Sequence, residues 1–393
     1  MADVDADAAP RALRALLDDV ARLQDYRHHR VAVTPLSTGG GNYTSELFLI
    51  TITAPDRDDL RLFAKVANIN GKMRDDAPIT QFYETERFVY GTLVDVYRKL
   101  EEKNSVPAEH RLYFPKYYGC NPKVFEETIV LEDLGARGFG THDRLESIDW
   151  PYAAAAVAEL AKFHALSFAY GHDNPEEFAR VLKERRFDFG SDEKMKGVWE
   201  GMVRGAVGAC GERHRARLSQ YLAENAKRVR DYYEPLRRPV LVHGDYRPSN
   251  LMHRLKPDGA VEVLPVDWQT VRAGCAATDL LYLVFAGSDA AFRARHYTAL
   301  VEEYYAQLCA ALRRLGLDPA VTYPREDFDY ELQKSLPYGL LMAVFVLPLV
   351  TVEAANAPRL DDMGLDMWQV KTSSLFSDRL NGIVDDYVAW GVL

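Results

Sequence analysis

Three oxygen-bearing side chains stand at a spacing that suits phosphoryl chemistry: Asp245, Asn250 five positions later, and Asp267 a further 17 positions on. Moving a γ-phosphoryl group onto a hydroxyl needs a carboxylate to accept the hydroxyl proton. It also needs hard oxygen ligands that hold Mg²⁺ against the phosphate charge. Asp245 suits the first task, and Asn250 and Asp267 suit the second. Base Asp, metal Asn, metal Asp is also the order used by phosphoryl-transfer enzymes of the protein-kinase type. Upstream, Lys65 offers a cation for phosphate oxygens and Glu86 a carboxylate to hold it, while the Gly39-Gly40-Gly41 turn lets backbone amides approach phosphates. Each part alone is a weak signal, because a glycine turn is usually just a hairpin turn; the information lies in five parts, with Lys65 and Glu86 taken as one pair, standing in one order.

The elements that must position these residues can be read from periodicity. Val31–Val33, Leu47–Ile52 and Leu60–Val66 read as strands around the turn at Ser37–Ser45. In the last of them Leu60, Leu62, Ala64 and Val66 share one face, so Lys65 projects from the other. Gln81–Leu100 has helical period, with Phe82, Val89, Leu93, Val96 and Leu100 on one stripe. Glu86 falls on that stripe, and a carboxylate facing inward needs a partner, for which Lys65 is the candidate. Ile129–Leu134 reads as a further strand with a glycine-rich exit at Gly135, Gly138 and Gly140. Beyond it, Pro151–Tyr170, Arg213–Tyr233, Asp289–Leu315 and Phe328–Val352 carry helical spacing. Two short strands, Val240–Val242 and Val261–Val266, run directly into His243-Gly244-Asp245 and Asp267-Trp268-Gln269, so each acid sits at a strand exit. The expectation is an α+β fold: a small antiparallel-sheet lobe and a larger helical lobe with a cleft between them.

Composition narrows the function classes. The chain has 393 residues, 48% hydrophobic and 27% charged, enough for a sizeable core and a prior of two lobes. Its net charge of −10 argues against a surface for nucleic acid. Cys120, Cys210, Cys275 and Cys309 form no CxxC pair, which favours free thiols over a zinc ribbon or disulfide scaffold. The acidic start, Met-Ala-Asp-Val-Asp, lacks the features of a secretory signal, so a cytoplasmic location is expected. The longest apolar stretch, Gly339–Val352, is shorter than the roughly 20 residues of a membrane span and contains Pro348, so it is read as a buried core helix and no membrane association is expected.

The stretches "FYETERFVY", "FPKYYG", "IVLEDLGARGF", "LAKFHALSFA", "VHGDYRPSNLM", "VDWQTV", "TDLLYLVFAGSD" and "NGIVDDYVAWG" together resemble the ecdysteroid kinase-like family, also called CHK kinase-like proteins, relatives of choline kinases and aminoglycoside phosphotransferases. The resemblance runs from about Leu36 to the C-terminus. It implies a protein-kinase-like two-lobe fold, with residues 1–130 as the ATP-binding lobe, 131–136 as the hinge and 137–393 as the helical lobe with catalytic loop and acceptor pocket. It further implies ATP and Mg²⁺, Asp245 as base, Asn250 and Asp267 as metal ligands, and Lys65 as phosphate ligand with Glu86 as its partner. Backbone near Glu132 and Leu134 would meet adenine. His243 would hold the catalytic loop through Asp279, His164 is read as a core histidine, and Gln269 as either a loop hydrogen-bonder or a neighbour of the metal. Many family members carry Trp and Asn where this chain has Arg247 and Ser249, and Phe or Tyr where it has Trp268; these departures remove no ligand but bear on the acceptor.

Tyr338, Met342, Phe345, Trp368, Trp199 and Met202 lie in segments where related kinases build the acceptor pocket, although apolar residues at helical spacing are more often core. Their character, with acids such as Asp361, Asp362 and Asp366 at the edges, favours an apolar alcohol over a polycation. The resemblance names an ecdysteroid, phosphorylated at carbon 22 to an inactive conjugate. A detoxification kinase for another lipophilic alcohol or glycoside, a choline-like kinase, and a steroid-binding pseudokinase are the alternatives. Retention of Lys65, Asp245, Asn250 and Asp267 speaks against the last of these. The absence of an APE-type segment after Asp267 speaks against a protein kinase.

Overall fold

Val33, then Phe48, Ile50 and Ile52, then Leu62, Ala64 and Val66 recur at every second residue, giving three successive segments one apolar face each. In the computed structural model, which describes residues 10–37, 45–55, 57–67, 74, 79–186, 192–353 and 373–393, these segments are β1 (Arg30–Leu36), β2 (Glu46–Ala54) and β3 (Arg57–Val66). With β4 (Tyr117–Asn121) and β5 (Thr128–Glu132) they form a five-stranded antiparallel sheet in the order β1-β2-β3-β5-β4. The apolar face is closed by α1 (Arg11–Leu23), whose Leu13, Leu17, Val20 and Ala21 are buried against it. The strand reading above leaves this helix out, although Leu13, Leu17 and Val20 stand at helical spacing. Lys65 pairs in register with Ile129 of β5 and points from the opposite face. The Gly39–Gly41 turn lies outside the described residues.

On that opposite face lie α2 (Ile79–Phe88) and α3 (Val94–Lys103), joined by a π-helical turn at Val89–Leu93. Their buried line is Ile79, Tyr83, Glu86, Tyr90, Leu93, Tyr97 and Leu100, a repeat of three and four residues. The stripe proposed from sequence has Glu86, Val89, Leu93 and Leu100 buried, but Phe82 and Val96 are only partly so. Three tyrosines, not counted as apolar, carry the face instead. A tyrosine ring buries as much surface as a phenylalanine, so its hydroxyl does not keep it out of a core.

After β5 the chain turns at Gly135–Arg137 and becomes mainly helical. Asp149 caps α4 (Trp150–Asp173) by accepting from the Tyr152 amide, and Pro151 occupies the first turn. Helices α5 (Pro175–Glu184), α6 (Asp192–Ala209) and α7 (Glu212–Asn225) follow. Two antiparallel pairs then carry the chemistry-bearing loops: β6 (Val240–Val242) with β9 (Arg272–Gly274), and β7 (Leu251–Leu255) with β8 (Val261–Pro265). The remaining long helices are α8 (Ala276–Gly287), α9 (Ala290–Arg314), α10 (Arg325–Val350) and α11 (Ser374–Ala389). All 12 residues of α8 are buried, so it shows no polar face and no periodicity from which a helix could be read.

Among the described residues, α10 is the one helix long and apolar enough to cross a membrane; 67% of its most apolar stretch is buried within the protein, as in a core helix. It packs on α8 and α11. The closest approach is at Gly339, where an added Cβ would lie 2.5 Å from the Tyr387 hydroxyl and 2.7 Å from the Phe285 ring, both fully buried. Gly339→Ala is therefore expected to cost about 1–3 kcal/mol of unfolding free energy, as overpacking of a filled core does. Chemical denaturation checks this, and a wild-type midpoint with an unchanged slope would contradict the close packing.

Candidate active site

Strand β3 brings Lys65 to the face of the sheet where α2 presents Glu86, one turn before the π-helical segment. The Lys65 Nζ donates to Glu86 Oε2 at 2.8 Å, and the two side chains are 7% and 2% exposed. The same Nζ lies 2.5 Å from Asp267 Oδ1, which arrives from the exit of β8, 202 residues later in the chain. Burial opposes the lysine charge, but Asp267 and Glu86 together outweigh it and hold the ammonium well above its ordinary range. Glu86 is pushed up, because burial costs its carboxylate more than Lys65 restores. Among the described residues its Oε1 is buried with no hydrogen-bond partner. Asp267 goes the other way: burial raises it, but Lys65, with help from Arg247, brings it below the ordinary carboxyl range.

Asp267 has φ 65° and ψ 56°, a left-handed conformation that costs a non-glycine residue about 1–2 kcal/mol. The following residue holds it there. Trp268 is fully buried between Phe114, Phe163 and His243, with ring centroids 4.9, 4.8 and 4.7 Å away. Gln269 donates from Nε2 to Asp267 Oδ2 at 3.2 Å. The Val266 amide donates to the Asn250 carbonyl at 2.9 Å, tying this exit to the one that carries Asp245.

Asp245 follows β6. Its Oδ1 accepts from the Tyr282 hydroxyl at 2.6 Å, its Oδ2 from Asn250 Nδ2 at 2.8 Å, and Arg247 Nε lies 3.1 and 3.2 Å from the two oxygens. Three donors thus orient the carboxylate, with Arg247 Nε shared between its oxygens, and the Asp245 side chain stays 18% exposed. Asn250 Nδ2 also donates to the Asp245 carbonyl at 3.0 Å, which turns the amide oxygen of Asn250 away from Asp245. The loop is tethered from α4: Tyr246 donates to the Ala156 carbonyl at 2.7 Å and Tyr152 to that of Leu251 at 2.9 Å.

Asp279, at the start of α8, anchors the turn. It accepts from the His243 amide at 2.6 Å, the Gly244 amide at 2.9 Å and His164 Nε2 at 3.2 Å. Burial works against its charge, yet these donors hold it below the usual carboxyl range. The expected link between His243 and Asp279 therefore runs through the backbone. The imidazole of His243 reaches Val266 O at 3.0 Å from Nε2 and receives the Asp245 amide on Nδ1 at 3.4 Å, and it is His164 that meets the carboxylate. Burial holds His243 below the ordinary histidine range, so a neutral ring with the proton on Nε2 joins both exits. Gly244 has φ +82°, and a Cβ there would lie 2.5 Å from the Thr270 carbonyl, so glycine is required.

Sequence reasoning missed Tyr282 as a partner of Asp245. The available signal was Asp279 and Tyr282 at three-residue spacing on one helix, facing the same loop. Of the remaining residues singled out, Glu132 ends β5 and its side chain accepts from Tyr113 at 2.5 Å, from the Lys116 amide at 3.1 Å and from Arg137 at 3.1 Å. Leu134 lies just beyond the strand, which is shorter than the expected Ile129–Leu134, and is buried against Phe139 and Leu264. Tyr338 and Met342 are core, 1% and 5% exposed, as is Met202 at 4%, while Trp199 and Phe345 are partly buried and 5.3 Å apart. Trp368, Asp361, Asp362 and Asp366 lie outside the described residues.

The chain matches the ecdysteroid kinase-like family over residues 39–317, well over half its length. It belongs to that family. It is accordingly a small-molecule kinase, a phosphotransferase that acts on alcohol groups, with a two-lobe protein-kinase-like fold. No curated protein matches it in sequence. Among solved structures it is similar to aminoglycoside 2'-phosphotransferase-IIIa in complex with GDP, at 12% identity over 97% of this chain and 99% of that one, with a TM-score of 0.49. It is also similar to an ethanolamine kinase of Plasmodium vivax, at 11% identity over 92% and 83% and a TM-score of 0.43. A third is a microcompartment-associated aminopropanol kinase, at 10% identity over 96% and 99%, with a TM-score of 0.43.

The buried charges give this kinase a measurable signature. In Lys65→Met the burial cost on Glu86 is unopposed, so its carboxyl rises further above its unfolded value. A carboxyl raised in the folded state favours folding below the unfolded value and loses that contribution as pH rises through the folded one. The deficit of the variant relative to wild type should therefore be larger at pH 8 than at pH 5, by about 1.4 kcal/mol for every tenfold weakening of Glu86 as an acid. Urea unfolding at both pH values checks it, and equal deficits would contradict the pairing.

Proposed function

We propose that the protein transfers the γ-phosphoryl group of ATP to a hydroxyl of a lipophilic alcohol, with an ecdysteroid as the first candidate and its side-chain hydroxyl on carbon 22 as the point of attack. The observation that carries the catalytic part is the Asp245 carboxylate, oriented by three donors yet still 18% exposed. A hydroxyl that reaches it is oriented for attack and has a base for its proton. Lys65, anchored by Glu86, takes phosphate oxygens once Asp267 turns to a cation. Residues 131–136 serve as the hinge, with the backbone beside Glu132 and Leu134 against the adenine, and Gly39–Gly41 cover the phosphates.

The donor set fits Mg²⁺. The Asn250 amide group spends its hydrogens on Asp245, which leaves its oxygen for a cation, and Asp267 supplies carboxylate oxygens within the same pair of strand exits. A pair of oxygen ligands of this kind suits a small hard ion that keeps water and phosphate oxygens in its shell. When bound, such an ion neutralises phosphate charge and polarises the group being transferred.

The steroid reading is supported by the family and by the aromatic pair Trp199 and Phe345, which is only partly buried, since a sterol skeleton is held mainly by removing apolar surface from water. A cytoplasmic site of action is supported by the four unpaired cysteines.

Two measurements test this. Asp245→Asn should keep its nucleotide affinity and lose on the order of 10²–10⁴ in turnover; near-wild-type turnover would reject Asp245 as the base. Incubation with Mg²⁺·ATP and ecdysone or its 20-hydroxy form, with product mapping by mass spectrometry and NMR, should give a 22-phosphate. Efficient phosphorylation of other alcohols without any phosphosteroid would move the protein to a detoxification role, and binding of steroid with no turnover of any acceptor would make it a pseudokinase.

A further inference from the structure

The surroundings of Arg247 give it work to do. It is two residues from Asp245, its side chain is 12% exposed, and its Nε spans both carboxylate oxygens at 3.1 and 3.2 Å. Among the described residues Nη1 and Nη2 have no hydrogen-bond partner, and neither nitrogen is a fully buried orphan. Burial opposes the charge, but Asp245, with Asp267 further off, restores it, so the guanidinium stays a cation beside Asp245. One edge of a planar fork is thus occupied by the proposed base, and the other is left open.

An in-line transfer places the attacking hydroxyl against Asp245 and the phosphorus directly beyond it. The oxygen–phosphorus bond to the acceptor forms, the bond from phosphorus to the β,γ-bridging oxygen breaks with its electron pair leaving on ADP, and the hydroxyl proton passes to Asp245. A guanidinium held on Asp245 through Nε keeps its free edge beside the carboxylate that receives the attacking hydroxyl. We propose that Arg247 is a catalytic residue of this kinase, gripping the transferring phosphoryl group with Nη1 and Nη2 while Nε keeps Asp245 in line. A tryptophan at this position can do neither. The inference rests on the kinase reading above.

The test compares ADP with the non-hydrolysable ATP analogue AMP-PNP, each with Mg²⁺, by calorimetry on the full chain. Wild type binding neither nucleotide would sink the kinase reading itself. In Arg247→Gln, ADP affinity should stay within about twofold while AMP-PNP affinity falls about tenfold, the worth of one charge-assisted pair, and turnover should fall on the order of 10²–10³. Retained ADP binding certifies that the variant is folded. Arg247→Trp, the residue of many relatives, should lose the same preference and serves if the glutamine variant does not fold. ADP and AMP-PNP weakened equally, or neither weakened, overturns the proposal. A change confined to acceptor KM also overturns it, and assigns the open edge to an anionic group on the acceptor.

Discussion

One ammonium, Lys65 Nζ, is shared between Glu86 at 2.8 Å and Asp267 at 2.5 Å in a place that water scarcely reaches. An isolated charge there would be costly, and the cost is offset only if all three groups arrive together. That requirement reaches through the whole chain. Strand β3 must place its lysine away from α1, the α2 helix must put a carboxylate on its apolar line, and a strand exit 202 residues later must deliver Asp267 in a left-handed conformation. Two carboxylates facing one cation also make the arrangement responsive. A phosphate can take the lysine from Asp267 without leaving Glu86 unpaired.

The second anchor is Asp279. One buried carboxylate takes the His243 and Gly244 amides and the His164 ring, and the same helix sends Tyr282 to Asp245. Helix α8 thus fixes the backbone of the loop and the rotamer of its acid at once. His243 extends the link to Val266, one residue before Asp267, so the two acids are positioned by one continuous hydrogen-bonded unit.

How much of this can be read from residues alone depends on whether a residue's environment is periodic. Lys65 and Glu86 are legible because each breaks an apolar pattern, and a charge on a buried face implies a partner. Asp245, Asn250 and Asp267 are legible from order and spacing. Helix α8 is not, since a helix buried all round has no polar face to set its period. The line through Tyr83, Tyr90 and Tyr97 is obscured because a tyrosine's burial depends on where its hydroxyl can go. That His243 meets Asp279 through its amide, and His164 through its ring, turns on which atoms of a tight turn face the carboxylate, a matter of backbone conformation at Gly244 that residue types do not encode.

If the lysine bridge is the nucleotide-free state of a phosphoryl-transfer site, bound nucleotide must undo one half of it and spare the other. A crystal structure with Mg²⁺ and a non-hydrolysable ATP analogue shows this without intermediate assumptions. Lys65 should keep Glu86 within hydrogen-bond distance, leave Asp267 and meet a phosphate oxygen, while Asp267 and the Asn250 amide oxygen turn to the cation. A complex in which Lys65 still joins Glu86 to Asp267, with the phosphates bound elsewhere, would refute that assignment of the bridge.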